Sequence, residues 1–422
     1  MNVDLAYGRN GLRVTLPDRA DVVRPTYVAG LPDEPAALRQ AMRAPISGPS
    51  LRQLAAGRRR VVVTHSDITR ATPNDRILPV VLDELKLAGV ASDDITLINA
   101  LGTHRPQTDA ELRALLGACL DGTPIVARYR CLQHDAWDDA NLVPLLTTSR
   151  GNPVRLNRRV VEADLVIFTG FIEPHFFAGF SGGPKGALPA LAGHESVVTN
   201  HGFDMIAHPQ ATWGITEGNP IWEEMQEVAR CLEQLFLLNV SLNADRQITG
   251  VFAGELGAAH VAGCAAVRES AMVPVAEPYD AVITTNSGYP LDQNLYQTVK
   301  GMKAAAGVAR DGGAIVMAAE CADGLPDHGK YGQLLAEAGS PARVLETVGA
   351  PGFAAQDQWQ VQIQAQIQQR VAVYVYSDGL SDSQIESALL TATRSIEGTV
   401  AQLQPRRLCV LPEGPQTIAY LA

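Results

Sequence analysis

Three short loops gather side chains able to move protons and hold anions: Ser66-Asp67-Ile68-Thr69-Arg70, Gly102-Thr103-His104-Arg105 and Gly170-Phe171-Ile172-Glu173-Pro174-His175. An imidazole with an ordinary pKa of about 6.5 can serve as acid or base near neutrality, which suits His104 and His175. The planar guanidinium of Arg70 can grip a carboxylate through two parallel hydrogen bonds. Taken singly, each of these residues is more readily a turn or capping residue. As a set they mark a site.

The densest stretch runs from Gly170 to His201, where six glycines (170, 179, 182, 183, 186 and 193) surround a single lysine, Lys185. Glycine lets backbone approach a ligand closely, and a following helix N-terminus favours anions. A phosphate-bearing cofactor fits that pattern, with Gly182 and Gly183 among its contacts. Gly183-Pro184-Lys185-Gly186 lacks the Gly-Lys-Ser/Thr step of a P-loop, and the stretch holds no GxGxxG. His194-Glu195 does not open an HExxH zinc motif. At least two of Phe176, Phe177 and Phe180 read as ordinary core.

A second cluster spans Asn286 to Gly301. Gln293, Tyr296, Gln297 and Lys300 are spaced to share one side of a helix, which would give a donor-rich wall to a cleft or a solvated face.

These loops need a scaffold that brings strand ends together. Short apolar runs alternate with amphipathic stretches, the pattern of parallel α/β sheets. Strands are expected at 60–65, 95–99 and 163–169, with helices over about 75–88 and after the Thr108/Glu111 capping box, and a hairpin over 235–252. After Pro274 and Pro278 the pattern restarts, with strands at 279–284, 314–319, 371–376 and 408–411. The Gln-rich helix at 355–370 needs tertiary packing to persist. The expected fold is two doubly wound α/β domains with mostly parallel sheets flanking a cleft. Residues 1–272 would carry the histidines and Lys185, and residues 273–422 would form a smaller domain closing on the substrate. In such sheets ligands bind beyond the carboxyl ends of strands, where the strand order reverses.

Composition narrows the partners. The 422 residues are 46% hydrophobic and 19% charged, so disorder is excluded for most of the chain. A net charge of −11 argues against nucleic acid and anionic membranes, and any anionic ligand must find local cations. No run approaches about 18 apolar residues, and the N-terminus shows no secretory pattern. Six scattered cysteines without CxxC read as reduced thiols, so a cytoplasmic setting is expected. The Asn239-Val240-Ser241 sequon is expected to be inert.

GFIEPHFFAGFSGGPKGALP with His201 downstream, SDITRATP, LGTHR and GYPLDQNLYQTVKGM together resemble the nickel-dependent lactate racemase family. The likeness extends from about Val61 to Gly324. It implies a nickel-pincer nucleotide, a pyridinium mononucleotide with sulfur-bearing substituents, attached covalently through Lys185 and made by separate biosynthetic enzymes. Nickel would be held by the cofactor's own atoms, including the thioamide sulfur formed at Lys185, and by His201. The resemblance assigns acid/base roles to His104 and His175, the substrate carboxylate to Arg70 and Lys300, and neighbouring positions to Tyr296 and Gln297, with Asp67 beside the cofactor. It implies racemisation or epimerisation of a 2-hydroxy acid by reversible hydride removal from C2, through a 2-keto acid. Imidazole and square-planar N/S coordination suit Ni(II). Two positions depart from the family pattern: Pro184 stands where an arginine is expected, and Ala319–Pro326 follows ECxDGHG only as far as Gly324. These bear on which 2-hydroxy acid is turned over. An oxidoreductase or lyase with another cofactor, or a protein that holds the cofactor or a small carboxylate without turnover, remain the alternatives. A homo-oligomer is compatible with the sequence.

Overall fold

The apolar runs expected as strands assemble into two six-stranded sheets in the computed structural model, which describes residues 1–326 and 329–422. The first sheet starts at Val61–His65 and builds outward through Ile95–Asn99 to Arg130–Gln133. It then returns to the other side with Leu165–Phe171 and Leu235–Leu242, all parallel, and closes with antiparallel Ile248–Gly254. The order therefore reverses between Val61–His65 and Leu165–Phe171. The loops carrying Asp67, Arg70 and His175 leave the carboxyl ends of those two strands, and the His104 loop leaves the next one. The helix Asn74–Leu87 buries Ile77, Leu78, Val81 and Leu85. Thr108 and Glu111 form the expected capping box on Asp109–Leu116.

The second sheet is fully parallel, ordered Thr391–Ala392, Ala372–Tyr376, Ala309–Ala318, Tyr279–Thr285, Leu408–Leu411 and Asp21–Val22. Its order reverses beside Tyr279–Thr285, the strand that feeds the 286–301 cluster. The architecture is thus mixed α/β with mostly parallel sheets, as the sequence leads one to expect. One buried apolar cluster runs through both halves, with Val62 and Phe168 from one sheet and Val282 and Met317 from the other.

The extreme N-terminus departs from the expected grouping of residues 1–272. The hairpin Asn2–Leu5/Leu12–Thr15 buries Val3, Leu5 and Val14 against Ala281, Ile283 and Val316 of the second sheet, and Asp21–Val22 joins that sheet as an edge strand. Period-two burial identifies a strand but not the sheet it will cover. A strap over 24–33 then crosses to the first sheet. The Gln-rich helix forms over Gln358–Gln368 and buries Gln360, Gln362 and Gln364 by pairing their amides. Gln362 Nε2 donates to the Phe203 carbonyl (2.9 Å) and Gln364 Nε2 to that of Ala388 (2.7 Å). Among the described residues no helix is long and apolar enough to cross a membrane.

His260 is fully buried on the helix Leu256–Ala271, and its Nε2 meets the Ser181 carbonyl at 3.0 Å. Burial pushes its pKa down to about 4, slightly opposed by that hydrogen bond. With the folded value below the unfolded 6.5, the unfolded chain takes up a proton first as pH falls. The stabilisation from the neutral ring is complete above about 6.5 and is lost between 6.5 and 4. The stability advantage of the wild type over His260→Gln in urea unfolding should therefore shrink by roughly 2–3 kcal/mol from pH 7 to pH 4.5. A pH-independent difference would contradict this.

Candidate functional site

A cavity of about 150 Å³ opens where the two sets of strand ends face each other. Every site residue expected from sequence lines it: Asp67, Arg70, His104, His175, Gly182, Gly183, Lys185, His201, Tyr296, Gln297 and Lys300.

The two histidines are held differently. His104 Nδ1 lies 2.5 Å from Asp67 Oδ2, while Asp67 Oδ1 accepts from the Thr69 hydroxyl (2.7 Å) and backbone N–H (3.2 Å). Burial would push the Asp67 carboxyl up, but His104, Arg70 and Thr69 outweigh it and hold it well below the usual range. With Nδ1–H donated to a carboxylate, Nε2 of His104 is left free for proton transfer. Asp67, expected beside the cofactor, is thus placed against His104. His175 is buried among aromatic rings, 4.9 Å from Phe176 and 4.5 Å from Phe177, and its Nδ1 accepts the Ala178 N–H at 3.3 Å. Burial first, then the charges of Lys185, Lys300 and Arg70, keep its pKa well below the ordinary value.

Lys185 sits in the tight turn Gly183–Gly186 with its Nζ 5.4 Å from the Phe177 ring centre. Burial lowers its pKa far below 10.5, and Arg70 and Lys300 lower it further against the opposing pull of Glu173. An amine that gives up its proton more readily is the better nucleophile. The turn tolerates little else nearby. A Cβ at Gly182 (φ +72°) would meet Asn239 Oδ1 at 2.4 Å, and one at Gly183 (φ +52°) would meet the His260 ring at 2.4 Å.

His194 and His201 lie seven residues apart, a spacing that puts both on one side of a continuous helix. The helix ends at Asn200, so the two diverge. His201 turns inward between Phe177 (4.9 Å) and Trp359 (5.0 Å), and its Nδ1 is buried without a partner among the described residues. His194 stacks on the exposed Trp137 at 5.3 Å, away from the cavity.

From the second domain, the helix Leu295–Ala306 presents Tyr296, Gln297 and Lys300, capped by Asn294, whose Oδ1 accepts the Gln297 N–H (3.1 Å). Gln293 precedes this helix rather than sharing its face, and it lines a smaller pocket next to His104. Arg70 Nη1 and Gln297 Oε1 are buried and unpartnered among the described residues. Trp359 and Gln360 also line the cavity, and Trp359 Nε1 donates to the Tyr296 hydroxyl (3.0 Å). Sequence reasoning passed over both; a tryptophan in an otherwise amide-rich helix was the available signal. Phe176 and Phe177 line the cavity as well as filling core. The segment at Ala319–Pro326 buttresses the start of the Lys300 helix, with the Asp323 N–H on the Gln293 carbonyl (2.7 Å) and the Leu295 N–H on that of Gly324 (3.2 Å). Nothing in the structure explains Pro184 in place of arginine.

No three His, Cys, Asp or Glu side chains converge to hold a metal among the described residues. The orphaned His201 nitrogen, the buried lysine with its lowered pKa and the glycine cradle fit a group that attaches at Lys185 and brings most of a metal's ligands with it.

The chain matches the family models for the lactate racemase N-terminal domain over residues 7–214 and C-terminal domain over 275–414. It is 36% identical over 402 residues to a lactate racemase of Thermoanaerobacterium thermosaccharolyticum, covering 94% of this chain and 92% of that one. It is 36% identical over 378 residues to one of Lactiplantibacillus plantarum, covering 88% and 87%. The solved lactate racemase apoprotein of T. thermosaccharolyticum superposes with a TM-score of 0.90 at 34% identity, covering 99% of this chain and 100% of that one. A Thermotoga maritima protein shares the fold at a TM-score of 0.73 and 17% identity, with 94% of this chain and 100% of that one covered.

A lysine whose pKa is pushed well down should acylate at lower pH than an ordinary one. With acetic anhydride followed by mass spectrometry, Lys185 in the cofactor-free protein should reach its full rate at lower pH than the exposed Lys86. Parallel pH–rate profiles would contradict the assignment.

Proposed function

Because the chain belongs to the lactate racemase family, we propose that it racemises a lactate-like 2-hydroxy acid, with Lys185 as the attachment point of a nickel-pincer nucleotide. The observation that carries this reading is the meeting of two differently held histidines, Arg70, Lys300 and the buried Lys185 on one cavity. When bound, that nucleotide supplies an acceptor for the C2 hydrogen as hydride. His201 is the protein's ligand to the nickel.

Arg70 and Lys300 reach the cavity from opposite domains and fix the substrate carboxylate, the first as a planar fork and the second as a point charge. As the C2 hydroxyl becomes a carbonyl, its proton passes to one histidine, and the other supplies a proton when the opposite enantiomer forms. His104 takes that role at Nε2, steadied by Asp67. His175 is kept neutral and therefore ready to accept a proton. Tyr296, Gln297 and Trp359 close the cavity and limit water.

Arg70→Lys keeps the charge but loses the fork, and should lower kcat/KM by roughly two decades. Near-normal kinetics would place the carboxylate elsewhere. In protein produced with the cofactor-making enzymes, His201→Ala should strip nickel, read by elemental analysis, far more than His194→Ala. Equal losses would contradict the ligand assignment.

A further inference from the structure

One buried amide on the cavity wall has no part in this mechanism. Asn239 is only 1% exposed, so its sequon is out of reach of any modifying enzyme. It interrupts the strand Leu235–Leu242 between the buried apolar residues Leu238 and Val240. An amide taken out of water there must be matched by partners. Its Oδ1 accepts the Gly183 N–H at 2.8 Å, and its Nδ2 donates to the Leu238 carbonyl at 3.1 Å. Asn239 lies in register with Gly170 of the neighbouring strand Leu165–Phe171. Two glycines clear the space for this amide. A Cβ on Gly182, at φ +72°, would collide with its Oδ1, and one on Gly170 would press on its Nδ2 at 3.3 Å.

The Gly183 N–H opens the turn Gly183–Gly186 that carries Lys185. Upstream, Ser181 ties the chain to the loop of His175. Its Oγ donates to the Phe171 carbonyl (3.0 Å) and accepts the Glu173 N–H (2.9 Å), and its N–H donates to the Glu173 carbonyl (2.9 Å). His260 Nε2 meets the Ser181 carbonyl from the other side. These bonds fix the chain as far as Ser181. Beyond it, the Lys185 N–H donates to the Gly182 carbonyl (3.2 Å), a bond internal to the turn that does not anchor it to the rest of the fold. Among the described residues, no side chain other than Asn239 hydrogen-bonds the backbone of residues 182–186.

We propose that Asn239 is a positioning residue: by holding the Gly183 N–H, its side-chain oxygen sets the turn so that the Lys185 amine enters the cavity over the Phe177 ring. This rests on the reading of Lys185 as the attachment point. Leucine has nearly the shape of asparagine but no acceptor. In Asn239→Leu the buried Gly183 N–H is left unpaired, and the turn must shift to satisfy it. A residue that merely filled space would tolerate that exchange.

Hydrogen exchange of the cofactor-free protein, read by mass spectrometry, follows the turn directly. In Asn239→Leu the amides of residues 183–187 should exchange roughly tenfold faster, while those of Leu165–Phe171 and Leu235–Leu242 keep their wild-type protection. In protein produced with the cofactor-making enzymes, the fraction of chains carrying the Lys185 mass adduct should fall at least as far. Asn239→Asp keeps the oxygen and should return both readouts close to wild type. Asn239→Ala removes the same oxygen without adding bulk, and it carries the test if the Leu variant does not fold. Unchanged exchange at the turn overturns the proposal, as does an adduct that persists once exchange is accelerated. Protection lost throughout both strands, failure of both variants to fold, or no rescue by Asp would make Asn239 a general stability residue and overturn it too. A wild type that never carries the adduct removes the attachment reading instead, and exchange at the turn then decides the role of Asn239 alone.

Discussion

Three basic side chains, Arg70, Lys185 and Lys300, line one cavity in a protein of net charge −11. Like charges brought together away from water are costly, and the site relieves that cost in two ways. Burial and the neighbouring positive charges push the pKa values of Lys185, His175 and His201 well down, so these groups release their protons more readily. The Asp67 carboxylate, buried beside Arg70 and His104, offsets part of the rest. The remaining positive potential is what an anionic substrate would meet, in a molecule whose general field would repel it.

The scaffold makes this crowding possible. Each sheet reverses its strand order once, and the loops that leave those reversal points face one another. The first domain contributes the histidines, Arg70 and the lysine turn; the second contributes Tyr296, Gln297, Lys300 and Trp359. Aromatic rings and hydrogen bonds both cross between them: His201 lies between Phe177 of one half and Trp359 of the other, and Gln362 Nε2 donates to the Phe203 carbonyl. Displacing either ring would alter the surroundings of His201, so its placement depends on how the halves sit together. The glycine turn adds a backbone constraint: Asn239 and His260 occupy the space a Cβ would need at Gly182 and Gly183.

Much of this was legible in the sequence because it depends on local pattern. Apolar runs located Val61–His65, Ile95–Asn99 and Tyr279–Thr285, and the residues just after them proved to share a cavity. What stayed hidden depends on partners distant in the chain. Alternation in Val3, Leu5 and Val14 announces a strand, yet only the packed structure shows it covering the second sheet. The Gln-rich helix is unremarkable until its amides find the Phe203 and Ala388 carbonyls, and Trp359 enters the site as a consequence. Asp67 and His104 are 37 residues apart, and nothing in either loop forecasts their 2.5 Å contact. Seven-residue spacing put His194 and His201 on one side, and the early end of the helix separated them.

The account turns on how the hydrogen at C2 is handled in the cavity. The most direct measurement follows that atom. Loaded protein would be given one enantiomer of lactate in heavy water, and the racemised product examined by mass spectrometry and proton NMR. The account predicts that both enantiomers appear with protium retained at C2, because the hydrogen leaves and returns as hydride while only the hydroxyl proton exchanges through the histidines. Deuterium entering C2 at the rate of racemisation would mean proton abstraction at carbon and would contradict it.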